Sequence, residues 1–129
     1  MQWLCGAEVV GEAQAVAAAL ARSHAIGVDL WRVDDWTALA HEGASCERQW
    51  RRGERPWVGS RFETLMTPTQ GPILAITQQA RAVPEMLRAF VPAGRRYLSL
   101  CDHDVGAILE AALRLDAEID TAWAKLSAI

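Results

Sequence analysis

The sequence lacks the features that mark a membrane protein, a secreted protein or a nucleic-acid-binding domain. None of its apolar runs approaches the roughly 20 residues that a helix needs to span a bilayer, and its first residues lack the basic, apolar and cleavage regions of a signal peptide. The 13 basic and 16 acidic residues are spread along the chain and give a net charge of −3, which leaves no electrostatic footprint for phosphate backbones. We therefore expect a cytoplasmic protein without nucleic-acid or membrane partners.

Cysteine is scarce as well, with three residues, Cys5, Cys46 and Cys101. They are odd in number and lack metal-ligand spacing, and a reducing compartment would leave them as thiols. We interpret them as mostly buried small apolar residues. A reactive thiol is the less favoured alternative, because none of the three forms a Cys/His pair in a recognisable local context.

Phe and Tyr are also rare, with two and one, whereas six Trp are many for 129 residues. Trp buries a large area and is enriched at protein interfaces as well as in cores. We expect some of the six to face a partner, with a core position at least as favoured for Trp3, Trp31 and Trp123. A hydrophobic content of 51% is enough for one core with flanking layers, so we predict a single domain over residues 1–129.

Apolar runs typical of buried strands alternate with stretches of helical spacing along the chain. Asp34 and Asp35 can cap the second helix, Gly43 is the expected stop of that helix, and Asp116 is the expected N-cap of the last one. Pro84 fits the first turn of another helix. The predicted strands are 2–7, 28–33, 73–77 and 97–101, and the predicted helices are 11–22, 36–41, 84–90, 105–115 and a final one that carries Ile119, Trp123 and Leu126.

This alternation predicts an α/β fold, because crossover connections place helices on both faces of a mostly parallel sheet. We expect a three-layer α/β/α sandwich with a mostly parallel sheet of four or five strands. The fifth would be a short edge strand near residues 57–65.

The polar, Arg-rich stretch 46–61 is predicted to be an irregular or short helical connection. One alternative is a solvated loop. The other is a docking surface, since Trp and Arg together dominate the energetics of many interfaces. The interface candidates are Trp36, Trp50, Trp57, Arg48 and Arg51.

The ends of the predicted strands carry little recognisable chemistry. The segment 6–11 after the first strand lacks the close-set glycines of a dinucleotide-binding turn. The cluster 101–104 places His103 between two carboxylates, which makes it a weak candidate for a base or a metal ligand. Capping by Asp104 and solvation explain this cluster more simply, and His24 and His41 are expected near helix ends. No other catalytic, cofactor-binding or metal-binding residue is predicted.

Several short strings recur in a specific order over nearly the whole chain. They are 28–33, 36–39 with Gly43, 46–48, 71–77, 82–84, 90–92, 96–100 and 124–129. In this order and spacing they resemble the C-terminal domain of the homodimeric decarboxylating component of bacterial pyruvate dehydrogenase, a thiamine-diphosphate enzyme of the transketolase superfamily. The resemblance implies a fold like the transketolase C-terminal domain.

The chain departs from that family at three segments. Residues 77–81 read Thr-Gln-Gln-Ala-Arg where the family has Thr-Asp-Tyr-Met-Lys, so an acidic residue is missing. A Gly-rich segment of the family is shortened here to residues 101–106. The Asn and the His-Pro pair of the family are replaced within residues 49–56.

The resemblance implies that this chain binds no cofactor by itself. In the superfamily the cofactor lies between the N-terminal and middle domains, while the C-terminal domain stabilises the dimer and sits beside the substrate entrance. Thiamine diphosphate and Mg²⁺ are therefore expected in partner chains that carry those two domains. Homodimeric contacts of this chain would be a further consequence.

The preferred hypothesis is a small subunit of a split thiamine-diphosphate-dependent 2-oxo-acid dehydrogenase or transketolase-like enzyme, not catalytic alone. It would supply assembly contacts and part of the substrate channel. The alternative is a stand-alone, non-catalytic binding or regulatory module derived from the same domain. Independent catalysis at His103 and its two Asp neighbours is the least favoured hypothesis.

Overall fold

The computed structural model describes the chain through residue 127, with side chains described through residue 118. Strands and helices alternate, as predicted. The strands are β1 (Gln2–Gly6), β2 (Asp29–Val33), β3 (Ile73–Ile76) and β4 (Tyr97–Leu100), and the helices are α1 (Val10–His24), α2 (Trp36–Arg51), α3 (Arg61–Met66), α4 (Ala82–Glu85) and α5 (Val105–Ser127), with short 3₁₀ turns at Ala7–Val9 and Arg88–Phe90.

The four strands form one parallel sheet in the order β2-β1-β3-β4. Leu4 of β1 lies opposite Trp31 of β2 and Ala75 of β3. The chain moves outward from β1 to β2 and then returns past β1 to β3. Right-handed crossovers in opposite directions must lie on opposite faces of a sheet, and α1 accordingly packs on one face while α2 packs on the other. The predicted three-layer α/β/α sandwich is confirmed.

The first core layer lies between the sheet, α1 and α5. Alternate residues of the strands face it, because successive side chains of a strand point to opposite faces. Both faces of the sheet are covered, which explains why β1 and β3 are buried at every position and largely apolar. The buried residues of the first core layer include Trp3, Cys5, Leu74 and Ile76 from the strands, Ala13, Val16 and Leu20 from α1, and Ile108, Ala112 and Leu115 from α5.

The second core layer lies between the opposite face of the sheet and helices α2 to α4. The hydroxyl of Tyr97, on β4, donates to the carbonyl of Pro84 at 2.6 Å, and the guanidinium of Arg88 lies 5.1 Å from the centre of its ring. These contacts tie β4 to α4 and the turn that follows it. The buried residues of this layer include Leu4, Val33, Trp36, Ala40, Phe62, Met66, Ile73, Ala75, Leu87, Phe90 and Tyr97.

Helix α2 is much longer than predicted, because Gly43 does not end it. The helix begins where expected, with the carboxylate of Asp35 accepting the N–H of Ala38 at 3.0 Å. Gly43 lies on its buried face, and a Cβ there would come within 2.8 Å of the Phe90 ring. The glycine therefore allows close packing. The stretch 46–61, predicted to be an irregular or short helical connection, continues α2 up to Arg51, and His41 lies inside the helix instead of near its end.

The predicted fifth strand near residues 57–65 is also wrong, since α3 occupies much of this segment. Ser60 accepts the N–H of Glu63 at 3.1 Å, an arrangement that starts a helix. Four strands are present in the part of the chain that the structure describes.

Helix α5 runs through the position where a new helix was predicted to begin. Asp116 lies inside it and is not an N-cap, because no Gly or Pro interrupts a segment rich in Ala and Leu. The side chains of Ile119, Trp123 and Leu126 lie outside the described residues. The predicted helix 84–90 is instead a short helix and a separate 3₁₀ turn. None of the described helices is long and apolar enough to cross a membrane.

Candidate functional site

The strand order places a crevice between the carboxyl ends of β1 and β3. At this point the chain reverses its direction of travel across the sheet, and open α/β sheets bind ligands at such a point. Glu8 follows β1 here, and Thr77 and Gln78 follow β3. The topology thus makes these three residues the first place to look for a site.

The carboxylate of Glu8 bridges this crevice. Its Oε1 accepts the Thr77 hydroxyl at 2.7 Å and the backbone N–H of Gln78 at 2.9 Å. The carboxylate folds back over Gly6, where a Cβ would lie 2.6 Å from both of its oxygens. The hydrogen bond from Gln78, assisted by the one from Thr77, lowers the pKa of Glu8 below its ordinary value. An ionised carboxylate therefore lies at the switch point and uses a donor that a ligand would need.

The sign of this charge limits what the crevice can hold. A phosphate group needs free N–H donors and positive charge, whereas Glu8 offers negative charge and has already taken the Gln78 N–H. Cys5, near Glu8, is fully buried, and burial raises the pKa of its thiol to about 12. Because the thiolate is the nucleophilic form, Cys5 is unsuited to nucleophilic chemistry at neutral pH.

The His103 cluster follows β4, and its two carboxylates are used by the backbone. Asp102 Oδ1 accepts the N–H of Asp104 at 2.9 Å, and Asp104 Oδ2 accepts the N–H of Ala107 at 3.0 Å. The predicted capping role of Asp104 is confirmed. His103 is exposed, and within the described residues these carboxylates contact the backbone instead of its ring. A catalytic role for His103 stays a prediction that this geometry does not favour.

Two of the three cysteines are buried, as predicted, and Cys101 is not. Cys101 lies just beyond the end of β4 and is exposed. The thiol of Cys46 donates to Glu42 Oε1 at 3.1 Å, which raises the pKa of Cys46. No group of three or more His, Cys, Asp or Glu residues suited to a metal ion occurs within the described part of the chain.

The predicted interface residues separate into two environments. Trp36 is 2% exposed in the second core layer and cannot reach a partner, which corrects its assignment. Trp50 and Trp57 are 51% and 46% exposed, and their rings meet edge to face with centroids 5.5 Å apart. Arg51 lines a cleft beside them, and Arg48 is exposed in the same last turn of α2. The structure therefore brings together three of the candidates and leaves Arg48 nearby.

Sequence reasoning missed Glu8 as a site residue. Its only local signal is an acidic side chain directly after a buried strand. Glu8 and Thr77 are 69 positions apart, and they meet only because β1 and β3 are neighbours in the sheet. A strand order cannot be read from the chain, so this contact was hidden.

No family model matches this chain. Its sequence is similar to pyruvate dehydrogenase E1 components of several bacteria. It is 32% identical to the pyruvate dehydrogenase E1 component of Cupriavidus necator, in an alignment covering 100% of this chain and 14% of the relative. The corresponding protein of Mycolicibacterium smegmatis is 27% identical, with coverages of 98% and 16%. That of Mycobacterium tuberculosis is 31% identical, with coverages of 78% and 13%.

The chain therefore spans 13–16% of the length of the curated relatives it matches. The similarity to pyruvate dehydrogenase E1 components covers 78–100% of this chain. It also agrees with the resemblance found in the sequence strings.

Proposed function

We propose that this chain is a small subunit of a divided thiamine-diphosphate-dependent 2-oxo-acid dehydrogenase, similar to pyruvate dehydrogenase, or of a transketolase-like enzyme. Other chains would carry the N-terminal and middle domains together with thiamine diphosphate and Mg²⁺. One observation carries the proposal: the whole chain aligns with only 14% of a pyruvate dehydrogenase E1 component. A unit that matches so small a part of a large enzyme needs the remaining parts to act in the same reaction.

The switch-point crevice supports the assignment of the cofactor to other chains. A diphosphate carries negative charge, and Glu8 places a carboxylate where the fold would most readily bind an anion. The described residues of this crevice do not fit thiamine diphosphate. We therefore derive no step of the reaction from them.

The role left for this chain is to hold the assembly together and to form part of the substrate channel. Its exposed large apolar side chains include Trp50, Trp57 and Val58. These three residues are close in sequence, and each is about half exposed. Exposed apolar groups of this size are typical of surfaces that meet another protein.

The test is co-expression of the chain with the products of neighbouring reading frames that encode a thiamine-binding protein. The tagged chain should co-purify with that protein in a fixed ratio. Pyruvate-dependent decarboxylation by the mixture should exceed that of the thiamine-binding protein alone. A monomeric chain that leaves that activity unchanged would disprove the proposal.

A stand-alone regulatory or binding module is the second candidate. This function is favoured by the Glu8 carboxylate at the switch point and by the departure of residues 77–81 from the family pattern. Such a module would bind its partner without changing any decarboxylase activity. The co-expression experiment separates the two functions, because only the subunit raises turnover.

A further inference from the structure

The apolar stripe of helix α2 extends beyond the body of the fold. Trp36, Ala40, Gly43 and Cys46 follow one another at spacings of three and four residues and are all buried. Trp50 is the next position of the same stripe, and it is 51% exposed. Residues three and four apart share a helix face. Trp50 therefore lies on the inner face of α2, but at a point where that face is no longer buried.

The turn after α2 brings a second indole to Trp50. Gly53 has a φ of 72° and donates its N–H to the carbonyl of Trp50 at 2.9 Å, which reverses the chain. The guanidinium of Arg55 donates to Gln49 Oε1 at 3.2 Å and holds the returning segment against the helix. Trp57 then meets Trp50 edge to face at an interplanar angle of 75°. We call Trp50 and Trp57 the tryptophan clasp.

The clasp lies in the basic part of an acidic chain. Residues 46–61 contain five Arg and two Glu, whereas the whole chain has a net charge of −3. The cleft beside the clasp has a volume of about 410 Å³ and is lined by Glu47, Trp50, Arg51 and Trp57. An aromatic pair in edge-to-face contact with charged groups on its rim has the composition of an interface centre.

We infer that the tryptophan clasp binds an acidic segment of another protein. An apolar side chain of that segment lies in the cleft beside the paired indoles. The flanking carboxylates of the segment pair with three exposed Arg residues. Arg48 and Arg51 lie in the last turn of α2, and Arg52 directly follows the helix. The proposed function uses the same indoles as assembly contacts, but this inference rests on the clasp geometry and the charge of residues 46–61, and its test needs no enzymatic activity.

The cleft favours a protein over a nucleic acid. Glu47 on its rim can accept a backbone N–H, which a peptide has and a phosphodiester backbone lacks. The net charge of −3 also opposes the approach of a long polyanion. A short acidic segment is affected less, because its charges contact only the Arg-rich end of α2.

Fluorescence anisotropy with a defined probe tests this inference. The probe is a short fluorescein-labelled peptide in which Asp and Glu flank a central pair of Leu residues, and the comparison peptide carries Lys in place of each acid. The acidic peptide should bind and the basic one should not. The double variant Trp50→Ala, Trp57→Ala should weaken binding at least roughly tenfold, as should Arg51→Glu.

Val105→Ala is the matched control, since Val105 is 49% exposed but lies at the start of α5. It should leave the affinity unchanged, and all variants should unfold at temperatures close to that of the parent. Equal affinity of the clasp variant and the parent would overturn the inference. Tighter binding of poly(U) or of anionic lipid vesicles than of the acidic peptide would overturn it as well.

Discussion

Trp36 and Trp50 lie on the same stripe of one helix but in opposite environments. Trp36 begins α2 inside the second core layer and is 2% exposed, whereas Trp50 lies in its last turn and is 51% exposed. The helix has 16 residues and the strands have four or five. At about 1.5 Å per helical residue and about 3.3 Å per strand residue, the helix is longer than the strands, so the stripe passes beyond them. The comparison teaches that periodicity identifies the inner face of a helix but does not tell how far that face is covered.

The inner end of the stripe should carry most of the stability. Trp36→Ala removes a fully packed indole, and we expect it to lower the free energy of unfolding by about 3–5 kcal/mol. Trp36→Phe should cost less, because the Trp36 Nε1 atom has no hydrogen-bond partner among the described residues. Urea denaturation of the two variants measures the difference. A loss below about 1 kcal/mol for the Ala variant would contradict the buried position.

The middle of the stripe tests the close approach of α2 to Phe90. Gly43→Ala gains about 1 kcal/mol in helix propensity, but overpacking against the ring costs about 1–3 kcal/mol. We expect a net loss of up to about 2 kcal/mol in the free energy of unfolding. Adding Phe90→Leu should recover part of the loss caused by the glycine change, which a double-mutant cycle would show. Additive effects of the two substitutions would contradict direct contact.

Glu8 is an exposed side chain whose hydrogen-bond partners are part of the fold, so we expect it to contribute to stability although it lies at the surface. Its pKa is lowered by the hydrogen bond from Gln78, so its ionised form stabilises the fold above the ordinary pKa of 4.5. That contribution is lost as the pH falls through the lower pKa of the folded state. The stability difference between the parent and Glu8→Gln should therefore be largest near neutral pH and shrink below pH 4.5. A difference independent of pH would contradict this hydrogen-bonded geometry.

The outer end of the stripe should contribute least to stability. We expect Trp50→Ala to lower the free energy of unfolding by about 1 kcal/mol, because half of the side chain is already in water and the change removes the edge-to-face contact with Trp57. Thermal unfolding followed by circular dichroism measures this change. A loss as large as that of the Trp36 variant would show that Trp50 belongs to the core and would remove the contrast on which the comparison rests.

Much of the fold could be predicted from local patterns. β1 and β3 are largely apolar runs buried at every position, and the caps at Asp35 and Asp104 are short-range contacts that a few residues specify. The errors at Gly43, Asp116 and residues 57–65 have a common cause. Each was interpreted by its own tendency to stop, cap or extend the chain, whereas packing or neighbouring residues decided the outcome.

The candidate site was less accessible to sequence reasoning. The Trp and Arg composition of residues 46–61 pointed to a docking surface, and the structure shows exposed indoles there. Composition alone could not separate Trp36 from Trp50, because burial depends on the length of sheet beneath the helix. The importance of Glu8 was missed altogether, since both of its partners lie about half the chain away.

The sequence by itself determined the alternation of strands and helices, the three-layer arrangement, the local caps and the contrast between an Arg-rich segment and an acidic chain. Only the tertiary structure decided the neighbours of β1, the meeting of Glu8 with Thr77, the packing of Phe90 on Gly43 and the exposed end of the α2 stripe. The first set depends on contacts within a few residues or on the period of apolar positions. The second set depends on contacts between segments that are distant in the chain and become neighbours only when the sheet has formed.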